Sequence, residues 1–177
     1  MENQINISYF KNPFGELLLG SFNQQLCLAD WRYRKMRTAI DQRIQNGLNA
    51  TYIEETTEII EETKLQFNQY FEGNRNEFNI PLLLVGTDFQ KKVWNNLLQI
   101  PFGKTESYLG LSKKLAQEKA IRAVASANGA NSISIIVPCH RIIGSKGDLV
   151  GYAGGLNTKM KLLTLENPTF NSQMKLF

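Results

Sequence analysis

Residues 74–86, NRNEFNIPLLLVG, show neither the alternation of a half-buried strand nor the three-to-four spacing of a helix, and they include Pro81 and Gly86. They separate two differently patterned stretches, which predicts two modules, 1–84 including this connector and 85–177. With 177 residues and 42% hydrophobic side chains, the chain has enough apolar material for two small cores. Before the connector, INISYF, a turn over Lys11 to Gly15, Glu16 to Leu19, a break at Gly20 and Leu26 to Ala29 after the corner Asn23-Gln24-Gln25 read as an antiparallel meander. Thr51 to Phe71 then sets Ile53, Ile60 and Phe67 at heptad spacing with Glu54, Glu55, Glu58, Glu61 and Glu62 between them. That pattern predicts one amphipathic helix closed by Gly73 and packed on the meander.

The second module has a helical pattern. Thr87-Asp88-Phe89-Gln90 has capping-box spacing, Phe89, Val93 and Leu97 follow at four-residue intervals, and Pro101 stands beyond the end. Ser107 to Ala116 puts Tyr108, Leu111 and Leu115 on one face, and a second short helix from about Lys119 to Asn128 ends at Gly129, together suggesting a helix-turn-helix. Ala120, Ala123, Ala125, Ser126 and Ala127 give that second helix a small-residue surface, with Arg122 its one long cation after Lys119. Such a surface lets a backbone approach either another helix or a nucleic acid. Ile133 to Val137 is β-branched and predicts a buried strand leading into Pro138-Cys139-His140-Arg141. A helix capped by Asn157 is expected over Thr158 to Leu165, with Glu166 near its end, followed by a loose tail, NPTFNSQMKLF. The pattern is therefore a meander with a helix, followed by a run of helices.

Charge divides at the same place. Residues 1–84 carry 8 Lys+Arg against 11 Asp+Glu, net −3, and residues 85–177 carry 12 against 5, net +7. A basic second module suits a polyanion, nucleic acid first, although a basic solvated surface has the same arithmetic. MENQINISYF lacks a basic start followed by an apolar run, and no long apolar stretch follows, so a cytoplasmic chain without a membrane partner is expected. Two cysteines, Cys27 and Cys139, make no disulfide framework, and a single histidine, His140, leaves a four-ligand zinc site short of ligands, so no metal and no cofactor are expected.

Cys139 and His140 are the pair with chemistry to offer. A cysteine is nucleophilic as the thiolate, and an adjacent imidazole or cation favours that form. Neighbours on a regular strand point to opposite faces, so a direct dyad needs the chain to turn there. The other reading is a buried cysteine beside a histidine bonded to backbone. Cys27, between Leu26 and Leu28, reads as a small core residue.

Ile136-Val137-Pro138-Cys139-His140-Arg141-Ile142-Ile143-Gly144 resembles the active-site signature of the O6-alkylguanine-DNA alkyltransferases. The likeness extends over Gly86 to Gln90, Val93-Trp94, Ile100 to Thr105, Ser107-Tyr108, Arg122-Ala123-Val124, Asn128-Gly129, Asn131, Gly151 to Gly155 and Glu166, nearly the whole second module. The first module is similar chiefly in its strand-then-helix layout. The resemblance implies the fold class α/β plus mostly α: an N-terminal ribonuclease-H-like α/β module and a C-terminal mostly α module holding the helix-turn-helix and the reactive cysteine. It also implies direct-reversal repair: Cys139 takes the alkyl group from guanine O6 in double-stranded DNA, with thymine O4 as a second target, irreversibly and once per molecule. An O6 stacked inside a duplex can be reached in a protein pocket only if the nucleotide is flipped out.

Residue by residue, the resemblance assigns His140 to take the Cys139 proton through a water and Glu166 to orient the imidazole. It assigns Tyr108 to donate a hydrogen bond to the departing base and Asn131 to support the backbone beside the cysteine. Arg122 would fill the gap left by the flipped nucleotide, Ala123 and Ala127 would allow a close minor-groove approach, and Tyr152, Ala153 and Gly154 would close over the base. Arg141 is expected to form a structural ion pair. Two departures stand out: Asn131-Ser132 replaces the frequent Asn-Pro, and the N-terminal module has no histidine and only Cys27 to offer the zinc that some members bind. A monomer is expected without DNA. The competing classes are a damage-binding relative without the cysteine, a thiol hydrolase using Cys139 and His140, and a helix-turn-helix binder with an inert cysteine.

Overall fold

The computed structural model describes residues 2–170, and the chain divides into two compact units, Met1–Thr87 and Asp88–Phe177. In the first, β1 (Asn3–Asn12), β2 (Gly15–Phe22), β3 (Gln25–Trp31) and β4 (Ala50–Glu54) form one sheet in the order β3-β2-β1-β4. Asn23 and Gln24, at φ 49° and 61°, make the tight β2–β3 hairpin. Gly20 does not end its strand; β2 runs through it with a register irregularity at Gly20/Ser21.

The sheet is not wholly antiparallel. β4 lies parallel to β1, with Ile5 opposite Tyr52, because helix α1 (Arg37–Leu48) carries the chain across before β4 forms. The sequence reading missed α1: only Ile40 and Ile44 on it are buried, and Met36 at its start makes no side-chain cap bond. The helix expected from Thr51 is likewise shorter. Thr51 and Ile53 belong to β4, and α2 (Glu58–Phe71) starts where the Thr57 hydroxyl accepts the Ile60 amide proton. Ile40 and Ile44 of α1 join a core with Ile5 and Ile7, while Phe67 of α2 stacks on Phe10 at 6.0 Å. Ile5 and Ile7 point away from Phe10 on the pleated strand, so the two helices cover opposite faces of the sheet. The connector is packed too: the Leu26 amide donates to Pro81 O, the Leu83 amide donates to Leu26 O, and Ile80 and Val85 are buried.

In the second unit, α3 (Asp88–Leu97) buries Val93, Trp94 and Leu97. The two-residue strands β5 (Glu106–Ser107) and β6 (Ile142–Ile143) pair in parallel. The Ser107 hydroxyl caps α4 (Tyr108–Lys114), and Ala116 at φ 54° and a 3-10 turn lead into α5 (Ile121–Gly129). Gly129 is the last residue of α5 rather than its left-handed stop, and Ala130 after it remains right-handed. α6 (Leu156–Glu166) starts after Gly155, so Asn157 lies inside the helix and does not cap it.

Ile133 to Val137 is not a strand. The Val137 amide donates back to Ile133 O at 3.0 Å and Ile135 sits at φ 73°, which makes a tight buried turn. β-branched residues avoid that region of backbone space, so the turn is strained and must be held. Asn131 holds it: Oδ1 accepts from Ile133 N at 2.9 Å and Nδ2 donates to Val137 O at 2.8 Å, taking the place of a neighbouring strand. Within the expected tail, Phe170 is buried; residues 171–177 lie outside the described residues. Among the described residues, no helix is long and apolar enough to cross a membrane.

Candidate active site

The strained turn leads through Pro138 into a 3-10 turn, Cys139–Arg141, so the chain does bend at the Cys-His pair. Cys139 is 5% exposed, His140 is fully buried and Arg141 is 7% exposed. His140 does not bond directly to the thiol. Its Nε2 meets Glu166 Oε1 at 2.7 Å, while its Nδ1 is buried and bonds to no protein atom. A carboxylate at Nε2 places the proton of a neutral imidazole there and leaves the Nδ1 lone pair as the basic position.

Glu166, the last residue of α6, is held from three sides. Arg141 donates through Nε to Oε2 at 2.8 Å and through Nη2 to Oε1 at 3.0 Å, and the Gly103 amide reaches Oε2 at 3.4 Å. Burial alone would raise the Glu166 pKa, but His140 and Arg141 outweigh it and hold the carboxyl well below its usual range. Burial lowers the pKa of His140, and Arg141 and Lys159 add to this against the pull of Glu166. The imidazole is therefore neutral, beside a carboxylate already paired with a guanidinium.

The segment Ile100 to Lys104 cradles this cluster. Ile100 O accepts from Arg141 Nη1 at 2.6 Å, the Phe102 ring lies 5.9 Å from the guanidinium, and Gly103 takes φ 75° with Glu166 O so near that a Cβ there would sit 3.1 Å from it. The positive φ favours glycine at 103, and a Cβ there would also press on Glu166 O.

Tyr108, the first residue of α4, donates its hydroxyl proton to Val150 O at 3.3 Å. Burial and the nearby Cys139 raise its pKa above 10, so it stays a donor at neutral pH. Tyr152, Ala153 and Gly154 are half-buried in the turn before α6, and the Tyr152 ring stands edge-on to His140 at 6.4 Å. On α5, Arg122 and Ala123 are exposed. Ala127 is not: it is 3% exposed, and its carbonyl accepts from Trp94 Nε1 at 2.8 Å. Its small side chain serves the packing of α5 on α3, which corrects the expectation that it faces a nucleic acid.

One participant, Lys159, escaped the sequence reading: it is fully buried and within electrostatic reach of Cys139. Gly103 and Ile100 hold the Glu166–Arg141 pair. A lysine flanked by Thr158 and Met160 gives no sign of its burial. The Ile100-to-Thr105 motif did carry a signal, but only as resemblance.

Residues 88–168 match the family model described as 6-O-methylguanine DNA methyltransferase, DNA binding domain, and residues 5–84 match that of its ribonuclease-like domain. The chain belongs to this family. It is 41% identical over 169 residues to the Methylated-DNA--protein-cysteine methyltransferase of Mycobacterium leprae, covering 94% of each. It is 39% identical to that of Methanosarcina acetivorans, covering 89% of this chain and 95% of the relative. The crystal structure of Mycobacterium tuberculosis OGT in complex with DNA superposes with a TM-score of 0.78 at 38% identity, covering 93% of each chain. The methyltransferase family thus accounts for both units, the sheet-bearing first and the helical second.

Proposed function

We propose that this chain repairs DNA by direct reversal, with Cys139 as the acceptor of an alkyl group carried on guanine O6 in double-stranded DNA. The buried chain Arg141–Glu166–His140, joined to Cys139 through one short turn, carries this reading. His140 Nδ1 takes the thiol proton through a bridging water, and Glu166 at Nε2 stabilises the imidazolium that results. The sulfur attacks the alkyl carbon, an S–C bond forms, and the O6–C bond breaks with its electron pair passing to the purine. Tyr108, protonated at neutral pH, donates toward the base as that charge develops. The thioether has no route back, so each molecule reacts once.

Arg122 and Ala123, exposed on α5, are the contacts we assign to the duplex, with Arg122 occupying the space of the flipped nucleotide. Tyr152, Ala153 and Gly154 form the wall against the base, and Asn131 keeps the turn before Cys139 in place. Thymine O4 is a second target by the same displacement. The protein acts as a monomer before it meets DNA, in the cytoplasm.

Whole-protein mass spectrometry after mixing with O6-methylguanine duplex tests the assignment. The expected result is a gain of one methylene equivalent located on Cys139 and absent in Cys139→Ala, which still binds DNA. A hydrolase would leave the protein mass unchanged while releasing product. A pure binder would leave both unchanged.

A further inference from the structure

Lys159 stands in an unfavourable place for a lysine. It is fully buried, it lies in the first turn of α6 where the helix dipole disfavours a cation, and every hydrogen bond it makes is to a neutral carbonyl. Burial pulls its pKa down from 10.5 to about 8, against an opposing influence of Cys139. Burial and helix position therefore give no reason for an ammonium here.

Its carbonyl partners give one. Nζ donates to Ile142 O, Val150 O and Gly151 O, which are the two ends of the loop running from Ile143 to Leu149. One ammonium thus clamps both ends of a loop that returns beside Cys139. Val150 O is shared, because it also accepts the Tyr108 hydroxyl proton. For Tyr108 to donate to a base it must release Val150 O, and a loop held only by that bond would come free at the moment the base needs it seated.

We propose that Lys159 is a positioning residue that keeps the Ile143–Leu149 loop seated beside Cys139 while Tyr108 changes hydrogen-bond partner from Val150 O to the extruded base. The proposal rests on the role given to Tyr108 above, but the clamp itself exists without substrate and is tested without it.

Amide hydrogen exchange on the free, full-length protein reads the clamp at Gly144 and Gly147, whose amides donate to Asp148 O and Gly144 O within the loop. Lys159→Met is expected to speed exchange at these two amides at least tenfold while the amides of α3 keep their protection, an outcome that general destabilisation of the unit would not give. Tyr108→Phe is expected to leave both amides protected. Faster exchange in Tyr108→Phe overturns the proposal, and this measurement decides alone should Lys159→Met not fold. With saturating free O6-benzylguanine, Lys159→Met should lower the limiting rate of alkyl transfer about tenfold, and should cost far less in a Tyr108→Phe background. Equal losses in the two backgrounds overturn the partner exchange. Failure of the unaltered protein to take up any alkyl group would instead defeat the repair reading and leave the clamp standing on its exchange data.

Discussion

His140 has no solvent exposure, so its protonation is set by its protein neighbours. Burial holds its folded pKa below 6.5, hence the unfolded chain binds more protons as pH falls below that value, and stability falls with it. Glu166 acts in the same direction lower on the scale: its contribution is complete above 4.5, the value for a free glutamate, and is lost as pH drops through its depressed folded pKa. The thermal midpoint should therefore be level from neutral pH down to about 6.5 and then decline, with a second decline below about 4.5 that Glu166→Gln removes. Alkyl transfer to free O6-benzylguanine should likewise persist below pH 6.5, because the base remains neutral there. Cys27 is the contrasting thiol. Burial pushes its pKa up to about 12, so alkylating reagents at neutral pH should reach it only on unfolding, as peptide mapping would show.

At the scale of elements, α5 has two differently employed sides. Ala127→Leu forces a larger side chain into the α3–α5 contact and should cost about 1–3 kcal/mol in denaturant unfolding. Ala123→Leu, on the exposed side, should change stability by less than about 0.5 kcal/mol while weakening duplex binding. The turn before Cys139 depends on one side chain in a comparable way. Asn131→Ala leaves the buried Ile133 N–H and Val137 C=O without these partners and should cost about 1–3 kcal/mol, with slower alkyl transfer as the Cys139 backbone loses its support. A Phe67→Ala change in the first unit, emptying a fully buried site against Phe10, should cost about 3–5 kcal/mol.

For the whole molecule, charge and chemistry separate cleanly. Arg122→Ala should impair transfer from duplex far more than transfer from free O6-benzylguanine, since only the duplex has a gap to fill; equal losses would remove the wedge role. Duplex affinity should fall linearly with salt on logarithmic axes, in the unaltered protein and in Cys139→Ala alike, as phosphate contacts require. α3 and α4 were legible in the sequence, α4 from the Ser107 cap at its start and α3 from the apolar spacing of Val93 and Leu97. α1 was not, since two isoleucines and an uncapped start give little local signal. The strand expected at Ile133 to Val137 failed because β propensity describes fit to a sheet, and here Asn131 supplies the backbone partners instead.

The local order of residues determined the two modules, the sign of charge on each, and the placing of a cysteine, a histidine and an arginine in one short run. Distance in sequence hid the rest. Glu166, Gly103 and Lys159 meet Cys139-His140-Arg141 only because a strained turn, a two-residue parallel strand pair and α6 fold back on one another. Hydrogen bonds between side chains so far apart along the chain leave no periodicity to read, and burial, which sets the acidity of these groups, is a property of the packed structure alone.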